Sequence, residues 1–350
     1  MSAQLLTQHR KPSAAQVVAH LGGVQAQDYA GAKWSVGIRL SDTGEDAVQR
    51  AIAEGEIMRT WVYRGTLHLI STAAAPWLLR LIAPSVIAAN QRRYRELGLD
   101  ETMLKKSNCL IREILESEDL PVARSKICKL LEINGISTGG QKAHYLLQRA
   151  GLDGLLCLGP NRGHESTCQP APIEPGSAQI MKPGQAMMRL GELYFAGHGP
   201  AAIQDFSWWS GLPLTLVRKA LAGFSSPQPL FGAGKQMWAG EGQTAADPAS
   251  LKHSVFLLPP FDEYLLGYKD RSAALDPAFV KKVNAGGGMM KPTVIVNGKV
   301  AGVWKQTRRK DRIMISVDPF RKLLDREYRV LARAADRYGR FYNTAAELAG

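Results

Sequence analysis

Apolar and polar positions change their period several times along the chain, and the changes mark elements. Residues 13 to 21, SAAQVVAHL, repeat apolar positions at helical spacing behind Ser13, a suitable N-cap, and stop at Gly22-Gly23. WSVGIRL is apolar enough to be buried, and Asp46 to Glu54 predicts another helix that ends at Gly55. The period then switches. IMRTWVYRGTLHLIS is rich in β-branched and aromatic residues, with Arg64-Gly65 where a hairpin would turn. Helices followed by a two-stranded hairpin make the pattern of a winged helix.

The pattern returns twice. Glu101 to Glu116 reads as a helix, Pro121 to Glu132 as a second with proline at its start, and a turn through Asn134-Gly135 leads to a third from Gly140 to Arg149. GLLCL and the segment after Gly163 can pair as a wing, and residues 168 to 184 are dense enough in Pro and Gly to read as a linker. Gln185 to Ala196 is again helical. After it, Pro200, Gly211 and Pro213 bracket two short helices in the helix, tight turn, helix order of a DNA-binding motif, which also occurs in purely structural helix pairs. Trp208 and Trp209 in this stretch fit packing between units better than base stacking. The last third is different: SVFLL is a buried strand, PTVIVNGKVAGVWK a hairpin turning at Asn297-Gly298, RIMISV a third strand and Phe320 to Tyr338 a closing helix. The expected fold is therefore α+β, mainly α, with three tandem winged-helix modules over residues 1–96, 97–170 and 171–250. Residues 251–350 supply the C-terminal strands, hairpin and closing helix.

Charge sharpens the picture. The 350 residues carry a net charge of +13, an excess that predicts a polyanionic partner and, first of all, nucleic acid. Twelve basic and five acidic residues lie between Lys305 and Arg340, so seven of the thirteen net charges fall there. Leu324, Tyr328, Leu331, Ala335 and Tyr338 recur on one predicted face of the closing helix, and Lys322, Arg326, Arg329, Arg333, Arg337 and Arg340 on another. A solvated face is the ordinary meaning of such a stripe. Its position directly after Lys305, Arg308, Arg309 and Lys310 makes it a candidate phosphate-tracking surface, to which Arg64 at the first wing turn is added. Four cysteines and seven histidines show no metal-binding spacing, so no metal and no cofactor are expected. No apolar run of 18 residues and no signal-peptide core is apparent, which predicts a cytoplasmic protein without a membrane partner.

Candidate chemistry centres on GGVQAQDY, residues 22 to 29. Gln25 and Gln27 are two apart, and in an extended segment that spacing turns both carboxamides to one side. Two uncharged amides can hold a water or read a base edge without titrating, though a polar loop between helices reads the same way. Asp28 follows them, and His68 lies among apolar residues on the wing strand, where a core histidine is the ordinary reading. Asp262-Glu263, with Asp270, could form an acid cluster for catalysis or metal, but their setting, FDEYLLGYKDR, suggests ion pairing with Lys269 and Arg271 instead. The sequence contains no G-x-S-x-G elbow, Walker loop or dinucleotide fingerprint.

Five blocks, GGVQAQDYAGAKWSVGIRL, RTWVYRGTLHLIS, GPAAIQDFSWWSGL, LLPPFDEYLLGYKDR and PTVIVNGKVAGVWK, together resemble the AlkZ-like DNA glycosylases, in order and over nearly the whole chain. The resemblance implies three winged helices in a C-shaped arrangement around double-stranded DNA with alkylated bases. It also implies hydrolysis of the N-glycosidic bond of N7-alkylated purines and, in some members, unhooking of interstrand crosslinks. The family's catalytic motif is Gln-x-Gln, matched here by Gln25-Ala26-Gln27, and nothing definite carries over to Asp28, which lies just outside it; Asp28 and His68 are supporting candidates by position alone. A non-catalytic winged-helix regulator is the alternative from another class. The hairpin at Asn297-Gly298 is the candidate element for pressing into DNA, and a monomer is expected.

Overall fold

The computed structural model describes residues 1–7, 12–41, 44–173, 181–221, 228–232, 235–241, 243 and 251–349. The first unit contains α1 (Ala14–Leu21), β1 (Val24–Gln25), α2 (Tyr29–Gly37), α3 (Glu45–Ala53), β2 (Ile57–Trp61), β3 (Leu67–Ser71) and α4 (Ala75–Leu97). The second contains α5 (Glu101–Ser117), β4 (Val122–Ala123), α6 (Arg124–Ile133), α7 (Lys142–Leu152), β5 (Leu156–Leu158) and β6 (Thr167–Pro170). Next come α8 (Pro183–His198), α9 (Ile203–Ser210), α10 (Leu214–Leu221), β7 (Gln228–Gly232) and β8 (Lys235–Ala239). The last part runs β9 (Val255–Leu258), α11 (Glu263–Leu266), α12 (Val280–Val283), β10 (Asn284–Gly286), β11 (Met289–Met290), β12 (Thr293–Val296), β13 (Lys299–Arg308), β14 (Arg312–Pro319), α13 (Asp325–Phe341) and β15 (Ala345–Leu348).

The order of helices and hairpins follows the periodicity, with boundary shifts that have local causes. WSVGIRL is buried, as expected, and it begins inside α2, because Asp28 caps a helix that starts at Tyr29. Pro121 precedes β4 instead of starting a helix, since Val122 and Ala123 pair with Cys168 and Thr167 first. Of the expected linker, Cys168 to Pro170 belong to β6 and residues 174–180 lie outside the described residues.

The first two hairpins do not stand as separate wings, whereas β7 and β8 form a two-stranded sheet of their own. Arg59 of β2 pairs with Leu158 of β5, and this contact joins the first two hairpins into one six-stranded sheet, β1-β3-β2-β5-β6-β4. A five-stranded sheet, β15-β14-β13-β12-β9, carries α13. Two hydrophobic cores among the described residues cut across the sequence units. One joins α1 to α3 with the C-terminal sheet and α13, and the other joins β2, β3 and α4 with residues 99–221. Strand β3 divides between them, Leu69 facing one core and Ile70 the other, as alternation across a strand requires.

Two sequence expectations need correction here. The segment Thr72–Leu97 is long and apolar enough to cross a membrane by length and composition, so one candidate span exists after all. Its inner face, Ala75, Leu78, Leu79, Ile82, Ala83 and Val86, packs into the second core. On α13 the expected apolar face is only half right. Leu324 and Tyr328 are exposed, because Glu327 takes the inward position, accepts from the Leu324 backbone N–H at 2.9 Å and binds Arg321 through both carboxylate oxygens.

Candidate active site

The Gln-x-Gln segment sits where α1 stops and the chain must pass between two aromatic rings. Gly22 ends α1 in the left-handed region (φ 70°), and a Cβ there would lie 3.2 Å from the Trp209 ring. At Gly23 (φ 144°) a Cβ would lie 3.0 Å from Tyr63. Glycine answers both demands, the backbone angles and the close approach. Tyr63 also donates its hydroxyl to the Gly22 carbonyl at 2.6 Å.

From there Val24 and Gln25 pair with Leu69 and His68, and the Ala26 N–H donates to the Leu67 carbonyl at 2.7 Å. The strand ends at Gln25, and three residues later Asp28 caps α2 by accepting from the Gly31 N–H at 2.9 Å. The same-side expectation for the two carboxamides therefore fails, because strand alternation does not continue to Gln27. Gln25 is 7 % exposed and its Oε1 is buried without a hydrogen-bond partner. Gln27 is exposed, its Oε1 lying 3.4 Å from the Leu67 N–H.

Around Gln25 several buried polar atoms share this condition. His68 stands directly opposite Gln25 and also opposite Thr60, so the three side chains line one face of the sheet. His68 Nε2 and Thr60 Oγ1 are buried without partners, while His68 Nδ1 lies 2.9 Å from the Thr66 carbonyl. Burial first, and the charge of Arg64 second, lower the His68 pKa to about 4 against the opposing pull of Glu263 and Thr66. The ring is accordingly neutral near pH 7. It is a core histidine by location, with one ring nitrogen left over.

Gln27 opens on a groove of about 180 Å³ lined also by Arg59, Trp61, Leu67, Arg124, His144 and Ser166. Arg59 spends Nε and Nη2 on the Ala26 carbonyl, at 3.2 and 3.0 Å, and stacks its guanidinium 4.5 Å from the Tyr29 ring centroid. A larger cavity of about 1070 Å³, lined by His198, Trp238 and Tyr268 among others, lies away from the glutamines. Its Asp205 is already committed to the backbone N–H groups of Ala202, Lys269 and Asp270. The groove at Gln27 is the one with suitable chemistry.

Behind the motif stands the acid pair, with partners other than those expected. Asp262 is buried and bound through both oxygens by Arg39, at 2.8 and 2.9 Å, with Ser35 donating at 2.7 Å. Glu263 is fully buried and accepts from Trp209 Nε1 at 2.9 Å and from the Gln25 backbone N–H at 3.2 Å, with His198 Nε2 at 3.4 Å. Burial alone would raise the Glu263 pKa, but the hydrogen bond with His198 first, and the Trp209 N–H among the other causes, hold it below the usual carboxylate range. Of the expected partners, Arg271 donates its side chain to the Leu265 carbonyl at 2.9 Å instead of to Asp262 or Glu263. Glu263 thus ties α11, α8 and α9 to the strand that carries Gln25.

The remaining site candidates divide. Arg64 braces the fold: Nη1 donates to the carbonyls of Trp208 and Trp209 and the guanidinium lies 4.7 Å from the Trp208 ring centroid. Both tryptophans pack between units, as expected. Asp28 caps α2, a role worth about 1 kcal/mol. Lys305, Arg308, Arg309 and Lys310 are exposed along β13 and its turn, and Arg326, Arg329 and Arg333 are exposed on α13. Arg337, on the same predicted stripe, instead donates to the Ile38 and Leu40 carbonyls. The hairpin turn at Asn297-Gly298 is tied down by the Tyr264 hydroxyl, 2.7 Å from the Gly298 carbonyl. The exposed basic tip belongs to the next hairpin, between β13 and β14. Sequence reasoning missed Arg59, Arg124 and His144; the visible signal was an arginine inside the otherwise uncharged strand IMRTW.

The whole chain resembles known proteins in sequence and structure. Residues 18–341 match the family model of the AlkZ-like DNA glycosylases. An interstrand DNA cross-link repair glycosylase of Streptomyces sahachiroi is 29% identical over 327 residues, covering 87% of this chain and 85% of the relative. The solved structure of Streptomyces sahachiroi DNA glycosylase AlkZ superposes with a TM-score of 0.81 at 24% identity, over 100% of this chain and 96% of the other, and so shares the fold. With a match that spans the glutamine motif, the groove beside it and both basic elements, the chain belongs to the AlkZ-like DNA glycosylase family.

Proposed function

We propose that this protein is a DNA glycosylase that hydrolyses the N-glycosidic bond of N7-alkylated purines, including purines held in interstrand crosslinks. The observation that carries the reading is the placement of Gln25-Ala26-Gln27: one carboxamide exposed at a basic groove, the other buried behind it beside a neutral histidine. Alkylation at N7 makes the purine cationic, so it leaves as a neutral base and needs no general acid. His68, with a pKa near 4, could not supply a proton at pH 7 in any case. That restricts the reaction to leaving groups already activated.

What the site must do is place a water against C1′ and tolerate an oxocarbenium-like sugar. Gln27 is the side chain that reaches substrate, and fixed carboxamide dipoles stabilise positive charge without titrating. Gln25 Oε1, a buried acceptor without a partner, adds a second dipole from behind and favours positive charge in front of it. None of the described residues lining the groove is a lysine, which supports monofunctional hydrolysis without a Schiff-base step. Crosslinked purines are included because the Streptomyces relative is named for crosslink repair and because the groove is open rather than a closed pocket. The exposed basic residues of β13 and α13 supply the phosphate contacts, and the protein acts as a monomer. The order of helices and hairpins supports three winged-helix units.

The test is to incubate the protein with duplex DNA containing 7-methylguanine, quench with alkali and follow strand cleavage against spontaneous depurination. Gln27→Ala is expected to slow release by on the order of 10²-fold with binding nearly intact, and Gln25→Ala by somewhat less. Wild-type release no faster than the blank, on a monoadduct and on a crosslink, would leave a non-catalytic DNA binder as the better reading.

A further inference from the structure

We infer that the groove beside Gln27 is a phosphodiester-binding subsite, in which Arg59 and Arg124 hold a backbone phosphate flanking the lesion nucleotide and so set the sugar against Gln27. The inference rests on the glycosylase reading for the identity of the lesion, but its first evidence is independent of it. Arg59 is 6 % exposed, and Nη1, the nitrogen not used on Ala26, has no hydrogen-bond partner. A buried guanidinium with no carboxylate paired to it is costly, and burial lowers its pKa against the favourable fields of Tyr29 and Asp28. An anion entering the groove relieves that cost.

The other walls suit a phosphate. Arg124, at the first position of α6, is exposed and has no side-chain hydrogen bond among the described residues. Burial first, then the field of Arg124, lowers the His144 pKa, so at neutral pH the ring can give a hydrogen bond without adding charge. Ser166 adds a hydroxyl, and a space of about 180 Å³ is large enough for one phosphate group but not for a base pair. Two carboxylates act nearby, and neither occupies the groove: Asp28 accepts from the Gly31 N–H, and Glu165 accepts from the Ser125 N–H at 2.9 Å. The groove also lies across the β2–β5 junction, so a phosphate there bridges the first two units of the fold. Arg59 then acts as a positioning residue, because the carbonyl it holds is that of Ala26, the residue between the two glutamines.

The test pairs protein and DNA changes. Duplexes carrying one 7-methylguanine are made with a neutral methylphosphonate replacing, one at a time, each phosphate within three nucleotides of the lesion. Binding and single-turnover release are measured with the full chain and with Arg124→Gln and Arg59→Gln. At one flanking phosphate, neutralisation weakens wild-type binding on the order of tenfold and weakens the variants markedly less. On undamaged duplex each variant lowers the slope of log K against log salt by about one contact. Fully additive effects at every phosphate, together with an unchanged salt slope in both variants, overturn the subsite. Because Arg59 also braces Ala26, Arg59→Lys separates charge from packing; Arg124→Gln, an exposed change, carries the test if Arg59→Gln does not fold. A wild-type protein that shows the salt-slope effect but releases no base would refute the glycosylase reading and leave the phosphate site standing.

Discussion

Glu263 offers the most informative perturbation, because a buried carboxylate there holds the strand of the glutamine motif from behind. Glu263→Ala leaves the Gln25 backbone N–H and Trp209 Nε1 without their acceptor and removes the anion facing His198. A buried donor stripped of its partner costs about 1–3 kcal/mol. Two such donors, with the weaker His198 contact added, put the loss at roughly 3–5 kcal/mol, the range for breaking a buried charged pair. Against a typical total of about 5–15 kcal/mol, the variant is marginal. Glu263→Gln keeps the shape but has one oxygen, which can serve Trp209 and His198 or Gln25, not both sides; about 1–3 kcal/mol is expected. Urea unfolding followed by tryptophan fluorescence, with Trp209 beside the mutated group, reads the shift in midpoint at constant slope. Single-turnover release of 7-methylguanine by folded Glu263→Gln should also be slower than wild type, since Gln25 loses its anchor. A Glu263→Ala stability within about 0.5 kcal/mol of wild type, the range of ordinary surface changes, would refute the reasoning.

Three further expectations follow from the same geometry. His68 has a folded pKa of about 4 against an ordinary 6.5, so on acidification the unfolded chain takes up the proton first. Stability from this group is whole above pH 6.5 and falls by about 1.4 kcal/mol per pH unit toward pH 4, roughly 3 kcal/mol in all; a His68→Asn variant with the same pH slope as wild type would remove this account. Arg39→Ala strands Asp262 as an unpaired buried charge and should cost about 3–5 kcal/mol, with stability largely recovered in the double variant Arg39→Met, Asp262→Leu; chemical denaturation of the pair of variants checks both halves. Arg64→Ala should lower stability by about 1–3 kcal/mol and leave the salt dependence of DNA binding unchanged, whereas a salt slope reduced by about one contact at unchanged stability would return Arg64 to the DNA surface.

Much of the fold was legible because it is local. The Ser13 cap and the Gly22-Gly23 stop bound α1, Gly211 ends α9, and Asn297-Gly298 turns a hairpin, each through backbone preferences that act over a few residues. Where local signals competed, the period misled. The closing helix starts at Asp325 rather than Phe320, since residues up to Pro319 are still paired in β14 and Glu327 supplies the cap. The glutamine motif was legible as a motif but not as geometry, because alternation holds only while a strand continues and this one ends at Gln25.

What the sequence by itself determined was residue type and near-neighbour structure: the carboxamide pair, the excess of basic charge, the hairpins and most of the helices. Only the tertiary structure decided which of those groups face solvent. The Gln25 backbone meets Glu263 across 238 positions of sequence, Arg64 reaches the carbonyls of Trp208 and Trp209 from 144 and 145 away, and Arg59 faces the groove because β2 pairs with β5 of the next unit. Burial, and with it whether an arginine braces the fold or waits for an anion, is set by such distant contacts, and no window of neighbouring residues contains them.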